Sequence, residues 1–108
     1  MRLFGLQSCD TCRKARKALE SAGHAVETID VRASPLDKQT RERFFAAFGE
    51  ALINRRSTTW KNLSDAERAM SPVELLGDHP TVMKRPVIET DDGLHLGWDA
   101  KVQGQLLS

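Results

Sequence analysis

Ser8-Cys9-Asp10-Thr11-Cys12-Arg13-Lys14-Ala15-Arg16 decides how the rest of the chain is read, because it holds both cysteines, separated by two residues. Upstream, the short apolar run from Arg2 to Leu6 predicts a strand. Downstream, Thr11 to Ala22 predicts an amphipathic helix: Ala15, Ala18, Leu19 and Ala22 fall at i, i+3, i+4 and i+7 and make one apolar stripe. Arg13, Lys14, Arg16, Lys17 and Glu20 take its other faces. The cysteines are therefore expected at a strand-to-helix turn, on the helix N-terminus.

The first N–H groups of a helix lack internal partners and carry partial positive charge, so a thiolate placed there is favoured over a thiol. Arg13 and Lys14 add cationic charge nearby. In such a setting a cysteine pKa falls from about 8.5 to about 3.5–7.5. Cys9 is thus read as the nucleophile, and Cys12, one turn on, as the thiol that attacks a disulfide formed at Cys9. Two blander readings compete. Both cysteines could be plain buried residues, but CxxC at a strand–helix junction is a redox signature. Zinc needs four ligands, and His24, His79 and His95 are scattered with no metal spacing, so no metal is expected.

At 108 residues the chain is expected to be one domain. It is 40% hydrophobic and 29% charged with a net charge of +1, which speaks against nucleic-acid or membrane binding driven by bulk charge. The pairs Arg13-Lys14, Arg16-Lys17, Arg55-Arg56 and Lys84-Arg85 are by default solvated surface. Leu3-Phe4-Gly5-Leu6 is too short for a secretory h-region, and no run approaches membrane-spanning length. A cytoplasmic protein is expected, in which CxxC works as a dithiol rather than a staple.

Gly23 is placed to close the first helix, and His24 to Val31, rich in β-formers, predicts a second strand parallel to the first. Ser34 before Pro35 predicts the start of a helix running to about Phe48, with Phe44, Phe45 and Phe48 buried. Ala51 to Gly77 reads as short helical pieces, with starts at Ser57, at the capping box Ser64-Asp65-Ala66-Glu67, and at Ser71-Pro72. Pro86 to Thr90, Asp91-Asp92-Gly93 and Leu94 to Trp98 read as a hairpin, and Asp99 caps a last helix. The order predicts an α/β thioredoxin-like fold (β-α-β, then β-β-α), one domain over 1–108 with an all-helical insertion at 49–80.

Three blocks carry a family resemblance: Cys9-Asp10-Thr11-Cys12-Arg13-Lys14-Ala15, Leu52-Ile53-Asn54-Arg55-Arg56-Ser57-Thr58-Thr59-Trp60 and Met83-Lys84-Arg85-Pro86-Val87-Ile88. The chain resembles the arsenate reductase family of the glutaredoxin-coupled class, which includes YffB-type thiol reductases and the Spx/MgsR regulators. The resemblance implies that Cys9 is the catalytic cysteine. It places Cys12 where arsenate reductases have another residue and Spx-type proteins their second cysteine. It implies that Arg85 binds an oxyanion, that Pro86 is the cis proline, and that Arg56, or Arg55 in a shifted register, is the arginine of the insertion. Asp10, Thr11 and Arg13 are supporting residues; Asp10 either orients the Cys9 loop or caps the helix, and the cap is the favoured reading. No bound cofactor is implied; the reductant would be glutathione or glutaredoxin.

The chain departs from the reductase pattern. Trp98 stands at a third arginine's place, and Gly5-Leu6-Gln7-Ser8 offers no histidine before the cysteine. A glutathione carboxylate or thiosulfonate-like group fits such an anion site more readily than arsenate. The phosphatase-loop class with Cys-x5-Arg is excluded, because Ala15 stands where that arginine would. The expected function is a thiol–disulfide oxidoreductase acting on a small oxyanion or glutathione-type substrate. The alternative is an Spx-like redox switch that docks on RNA polymerase through its α-subunit. A general glutaredoxin-like reductant is disfavoured, since it would not need the insertion. Monomeric behaviour, no direct nucleic-acid contact and no membrane attachment are expected. Trp60 and Trp98 are read as packing residues, His79 as a loop residue and His95 as facing solvent.

Overall fold

The computed structural model describes residues 1–107. In chain order the elements are β1 (Arg2–Gly5), α1 (Asp10–Ser21), β2 (Glu27–Asp30), α2 (Lys38–Phe48), α3 (Thr58–Lys61), α4 (Asp65–Arg68), α5 (Pro72–Asp78), β3 (Val87–Thr90), β4 (Gly93–Leu96) and α6 (Ala100–Leu107). Short 3-10 turns occupy Gly49–Leu52 and Pro80–Val82. The chain forms two compact units: Met1–Val31 together with the chain from Arg85 onward, and Arg32–Lys84.

The first unit is a sheet with strand order β2-β1-β3-β4. The helix between β1 and β2 returns the chain so that they pair parallel, Phe4 opposite Ile29. β3 runs antiparallel to β1, Ile88 opposite Leu3, and β4 antiparallel to β3, His95 opposite Ile88. Leu3 and Ile88 face a core completed by Cys12, Ala15 and Leu19 of α1 and by Val102 and Leu106 of α6. This is the thioredoxin-like α/β arrangement expected from the element order.

The α1 stripe begins one step earlier than its alanine periodicity suggests. Cys12, Ala15 and Leu19 are buried, whereas Ala22, expected on that stripe, is exposed. The helix stops there: Gly23 adopts φ 96° and donates to the Glu20 carbonyl at 3.0 Å, and the His24 N–H reaches back to Leu19 at 3.0 Å. These paired bonds form a Schellman close, which uses the left-handed backbone that glycine adopts without strain. With His24 spent on that close, β2 starts at Glu27 rather than His24. The Asp91-Asp92 turn joins β3 to β4, and the Asp99 carboxylate accepts the Val102 N–H at 2.9 Å, capping α6. His95 is half-buried rather than solvent-facing: it shares the sheet face of Ile88, and its Nδ1 lies 3.2 Å from Gln105 Oε1 of α6.

The second unit is helical apart from an isolated bridge between Ile53 and Met83, flanked by Asn54 N–H to Val82 O and Lys84 N–H to Leu52 O, each 2.8 Å. Its buried residues include Phe44, Leu52, Leu75, Val82 and Met83, while Phe45 and Phe48, expected in the buried face, are half-buried. α2 starts at Lys38, not after Ser34. The Asp37 carboxylate accepts the Thr40 N–H at 2.7 Å, and Arg41 Nη1 holds the Leu36 carbonyl at 2.7 Å. Those two bonds occupy the groups that an earlier first turn would need, and the carboxylate is the stronger acceptor. Ser57, Ser64 and Ser71 cap α3, α4 and α5 as their spacing predicts, Ser64 and Glu67 forming a capping box. Among the described residues no helix is long and apolar enough to cross a membrane.

Candidate active site

Cys9 is the N-cap of α1, with φ −84° and ψ 117°. Its N–H donates to the Leu6 carbonyl at 3.1 Å, closing the turn out of β1, and its own carbonyl receives the Arg13 N–H at 3.1 Å, opening the helix. Asp10 is therefore the first helical residue and not the cap. Its carboxylate instead pairs with the Arg13 guanidinium one turn along, on the exposed surface. Thr11 and Lys14 are exposed on the same turns.

The cation that faces Cys9 comes from elsewhere. Arg85 lies just before β3, and β3 lies beside β1 in the sheet, so the chain returns to the β1–α1 turn far along the sequence. The Arg85–Pro86 peptide bond is cis, and Pro86 is fully buried. Partial burial raises the Cys9 pKa. The Cys12 N–H and thiol, followed by a hydrogen bond and the charge of Arg85, outweigh that and hold the Cys9 thiol below its ordinary 9.0. No side-chain capping bond is closed at Cys9. The Cys12 N–H is nonetheless directed at its sulfur, a contact that ionisation would tighten.

Cys12 behaves oppositely. Its side chain is 3% exposed, and burial, with the adjoining Cys9 thiolate adding to it, pushes its pKa up to about 12 against the pull of the Leu6 N–H and of Arg85. Both thiols are free. The Cys9 sulfur is the one favoured as thiolate; the Cys12 sulfur is held as the thiol.

Cys12 also touches a residue that the sequence reading passed over. Its Sγ lies against the α-carbon of Gly5, where a β-carbon would overlap the sulfur and stand 3.3 Å from Cys12 Cβ. A glycine inside an apolar strand is a sign of close backbone approach, and here that sign was in the sequence. Gly5 and Cys12 line a cleft of about 280 Å³, with Leu6, Gln7, Arg16 and Asp30 around it. The Gln7 N–H donates to Asp30 Oδ2 at 3.2 Å, tying the loop after β1 to the end of β2.

Arg55 and Arg56 belong to the second unit. Arg55 is engaged locally, with Nη2 2.8 Å from Glu50 Oε2 and its guanidinium 5.3 Å from the Trp60 ring centre. The Arg68 guanidinium lies 5.6 Å from the same ring centre, and Trp60 is half-buried. Arg56 is held by its backbone, whose N–H donates to Asn54 Oδ1 at 3.1 Å, and its side chain is exposed. His79, read as a plain loop residue, sits at the C-terminus of α5 with Nε2 2.8 Å from Glu67 Oε2. Trp98 packs half-buried against the core of the first unit. Among the described residues no group of three or more His, Cys, Asp or Glu side chains is placed to hold a metal ion.

The sequence matches the model of the ArsC family over residues 4–105. A solved structure named YFFB protein superposes with a TM-score of 0.90 at 29% identity, covering 99% of this chain and 98% of the other. An arsenate reductase (ArsC) related protein from Brucella melitensis superposes at 0.75 with 35% identity, covering 96% of this chain and 90% of the other. The global transcriptional regulator Spx of Streptococcus agalactiae is 31% identical over 103 residues, 90% of this chain and 75% of the regulator.

Proposed function

The chain belongs to the ArsC family, and we propose from that premise that it is a thiol–disulfide oxidoreductase with Cys9 as nucleophile and Cys12 as resolving thiol. The observation that carries the reading is the opposed environment of the two sulfurs: Cys9 is favoured as thiolate by Arg85 and the Cys12 N–H, whereas Cys12 is buried with a pKa of about 12. The Cys9 thiolate attacks one sulfur of a mixed disulfide; a Cys9–substrate disulfide forms, the original S–S bond breaks, and the departing thiolate takes a proton from solvent. With Cys9 bonded, its charge and hydrogen bond no longer raise the Cys12 pKa. Cys12 then loses its proton to solvent and attacks Cys9 Sγ: the Cys9–Cys12 disulfide forms, the Cys9–substrate S–S bond breaks, and the departing thiolate takes up a proton as the second thiol. Two electrons have passed to substrate, and two equivalents of glutathione, or glutaredoxin, return the Cys9–Cys12 disulfide to the dithiol.

Arg85 serves a second purpose in this scheme. A guanidinium beside the nucleophile can also pair with a carboxylate or small oxyanion on the substrate and hold the scissile sulfur at Cys9. Of the two insertion arginines, Arg56 is the better candidate for an anion, because Arg55 is already committed to Glu50 and Trp60. The cytoplasm, where a glutathione pool supplies the electrons, is the compartment that suits this chemistry.

The test is NADPH oxidation coupled through glutathione reductase, glutathione and glutaredoxin, with arsenate and a glutathione mixed disulfide as parallel substrates. Turnover of either that vanishes in Cys9→Ser is the expected result; turnover untouched by Cys9→Ser overturns the proposal. Cys12→Ser that stalls as a Cys9–glutathione adduct identifies Cys12 as the resolving thiol.

The likeness to Spx supports a second reading, a redox switch that docks on RNA polymerase through its α-subunit. Capture of the polymerase's carboxy-terminal α domain in only one redox state, with no turnover, would favour it.

A further inference from the structure

We propose that Gly5 is a positioning residue for the dithiol: its bare α-carbon makes the seat in which the Cys12 sulfur lies against β1, and that seat aims Cys12 at Cys9. The backbone does not require glycine there. Gly5 is not among the glycines with positive φ, and its strand pairing with Asp30 and its carbonyl bond to the Val31 N–H at 2.9 Å are open to any residue. Space does require it. The atom in the way of a β-carbon is Cys12 Sγ, with Cys12 Cβ behind it at 3.3 Å.

That sulfur has little room to yield. It sits on one rotatable bond in the first turn of a helix, where the χ1 well near +60° is disfavoured by the preceding turn. Cys12 belongs to one buried core cluster with Leu3, Ala15 and Ile88. Moving Sγ off Gly5 disturbs its burial and its hydrogen bonds with the Leu6 backbone and the Cys9 side chain. The consequence for Cys9 is indirect: it loses the thiol that helps stabilise its anion. The inference rests on the thiol-reductase reading in naming the dithiol as the working group, but its test needs no substrate turnover.

The experiment is a double-mutant cycle of Gly5→Ala with Cys12→Ala on the full chain. The readout is the pH profile of Cys9 alkylation by iodoacetamide, followed by mass. With Cys12 present, Gly5→Ala is expected to move the profile toward that of an ordinary thiol and to slow alkylation about tenfold on its low-pH limb, the size of one hydrogen bond to a charged sulfur. In the Cys12→Ala background, where the obstructing sulfur is gone, Gly5→Ala is expected to change the rate less than about twofold. An unchanged profile with Cys12 present, or the same displacement in both backgrounds, overturns the proposal. If Gly5→Ala fails to fold with Cys12 but folds with Cys12→Ala, the clash is with the sulfur, as proposed; failure in both backgrounds makes Gly5 a residue of strand packing alone and overturns it. Loss of the proposed reductase activity would be seen separately, as absent turnover in the parent protein.

Discussion

Replacing Arg85 with Met should move the ionisation of Cys9 by a predictable amount. The substitution keeps an unbranched side chain of similar reach and removes both contributions Arg85 makes, a hydrogen bond to the sulfur and a positive charge beside it. A hydrogen bond to a charged group contributes about 1.5–3 kcal/mol. Cys9 is only partly buried, so solvent screening places the loss near the lower figure, about 1.5 kcal/mol. At about 1.36 kcal/mol per tenfold, that is about a tenfold fall in thiolate at any pH well below the pKa. Thiolate absorbance near 240 nm, titrated in the Cys12→Ser background so that a single sulfur reports, measures it directly. Arg85→Lys should restore part of the effect, since it keeps charge without the fork of donors. A Cys9 titration in Arg85→Met that superposes on the parent's would refute the reasoning. The anion-stabilising groups would then be the α1 N-terminus and Cys12 alone.

Three further outcomes follow from the same structure. Cys12 is an acid whose folded-state pKa, about 12, lies above its ordinary 9.0, so its contribution to stability is full below pH 9.0 and is lost as pH rises toward 12. At pH about 10.5 the loss should be about 2 kcal/mol, read as a drop in the urea midpoint that Cys12→Ala lacks. Cys9 acts with the opposite sign: its depressed pKa contributes stability above pH 9.0 that fades as pH falls through its folded value. In the second unit, Arg41 Nε and Nη1 donate to the Val73 and Leu36 carbonyls at 2.9 and 2.7 Å. Arg41→Ala should therefore cost about 2–3 kcal/mol in urea unfolding, and a loss under about 0.5 kcal/mol would mean water replaces both bonds without penalty.

Much of the first unit was legible because its signals are local. The CxxC at the end of a short apolar strand, the Gly23 stop, the Asp99 cap and the Asp91-Asp92-Gly93 turn each act within a few residues, and each forms the element it predicts. The serine caps of α3, α4 and α5 are legible for the same reason. The errors came where two local signals competed or where a partner lay outside the reading window. Ser34 and Asp37 are both acceptable caps, and Arg41, reaching to Leu36 from inside the helix, decides between them. Asp10 looked like a cap until Cys9 proved to hold that position. His95 alternates with leucines as a solvent-facing residue would, but α6 covers its face.

Sequence by itself determined the order of elements, the thioredoxin-like class and the family, because these are written in short-range periodicity, capping residues and motifs that survive in one dimension. It also placed Cys9 and Cys12 on a helix N-terminus. Tertiary structure decided what the two sulfurs are. Burial against Leu3 and Ile88 makes Cys12 a protonated core residue, Gly5 makes the space it occupies, and the pairing of β3 with β1 delivers Arg85 as the cation for Cys9 where the neighbouring Arg13 is claimed by Asp10. A pKa depends on desolvation and on charges within a few ångströms, and distance in space is the quantity that one chain of letters does not contain.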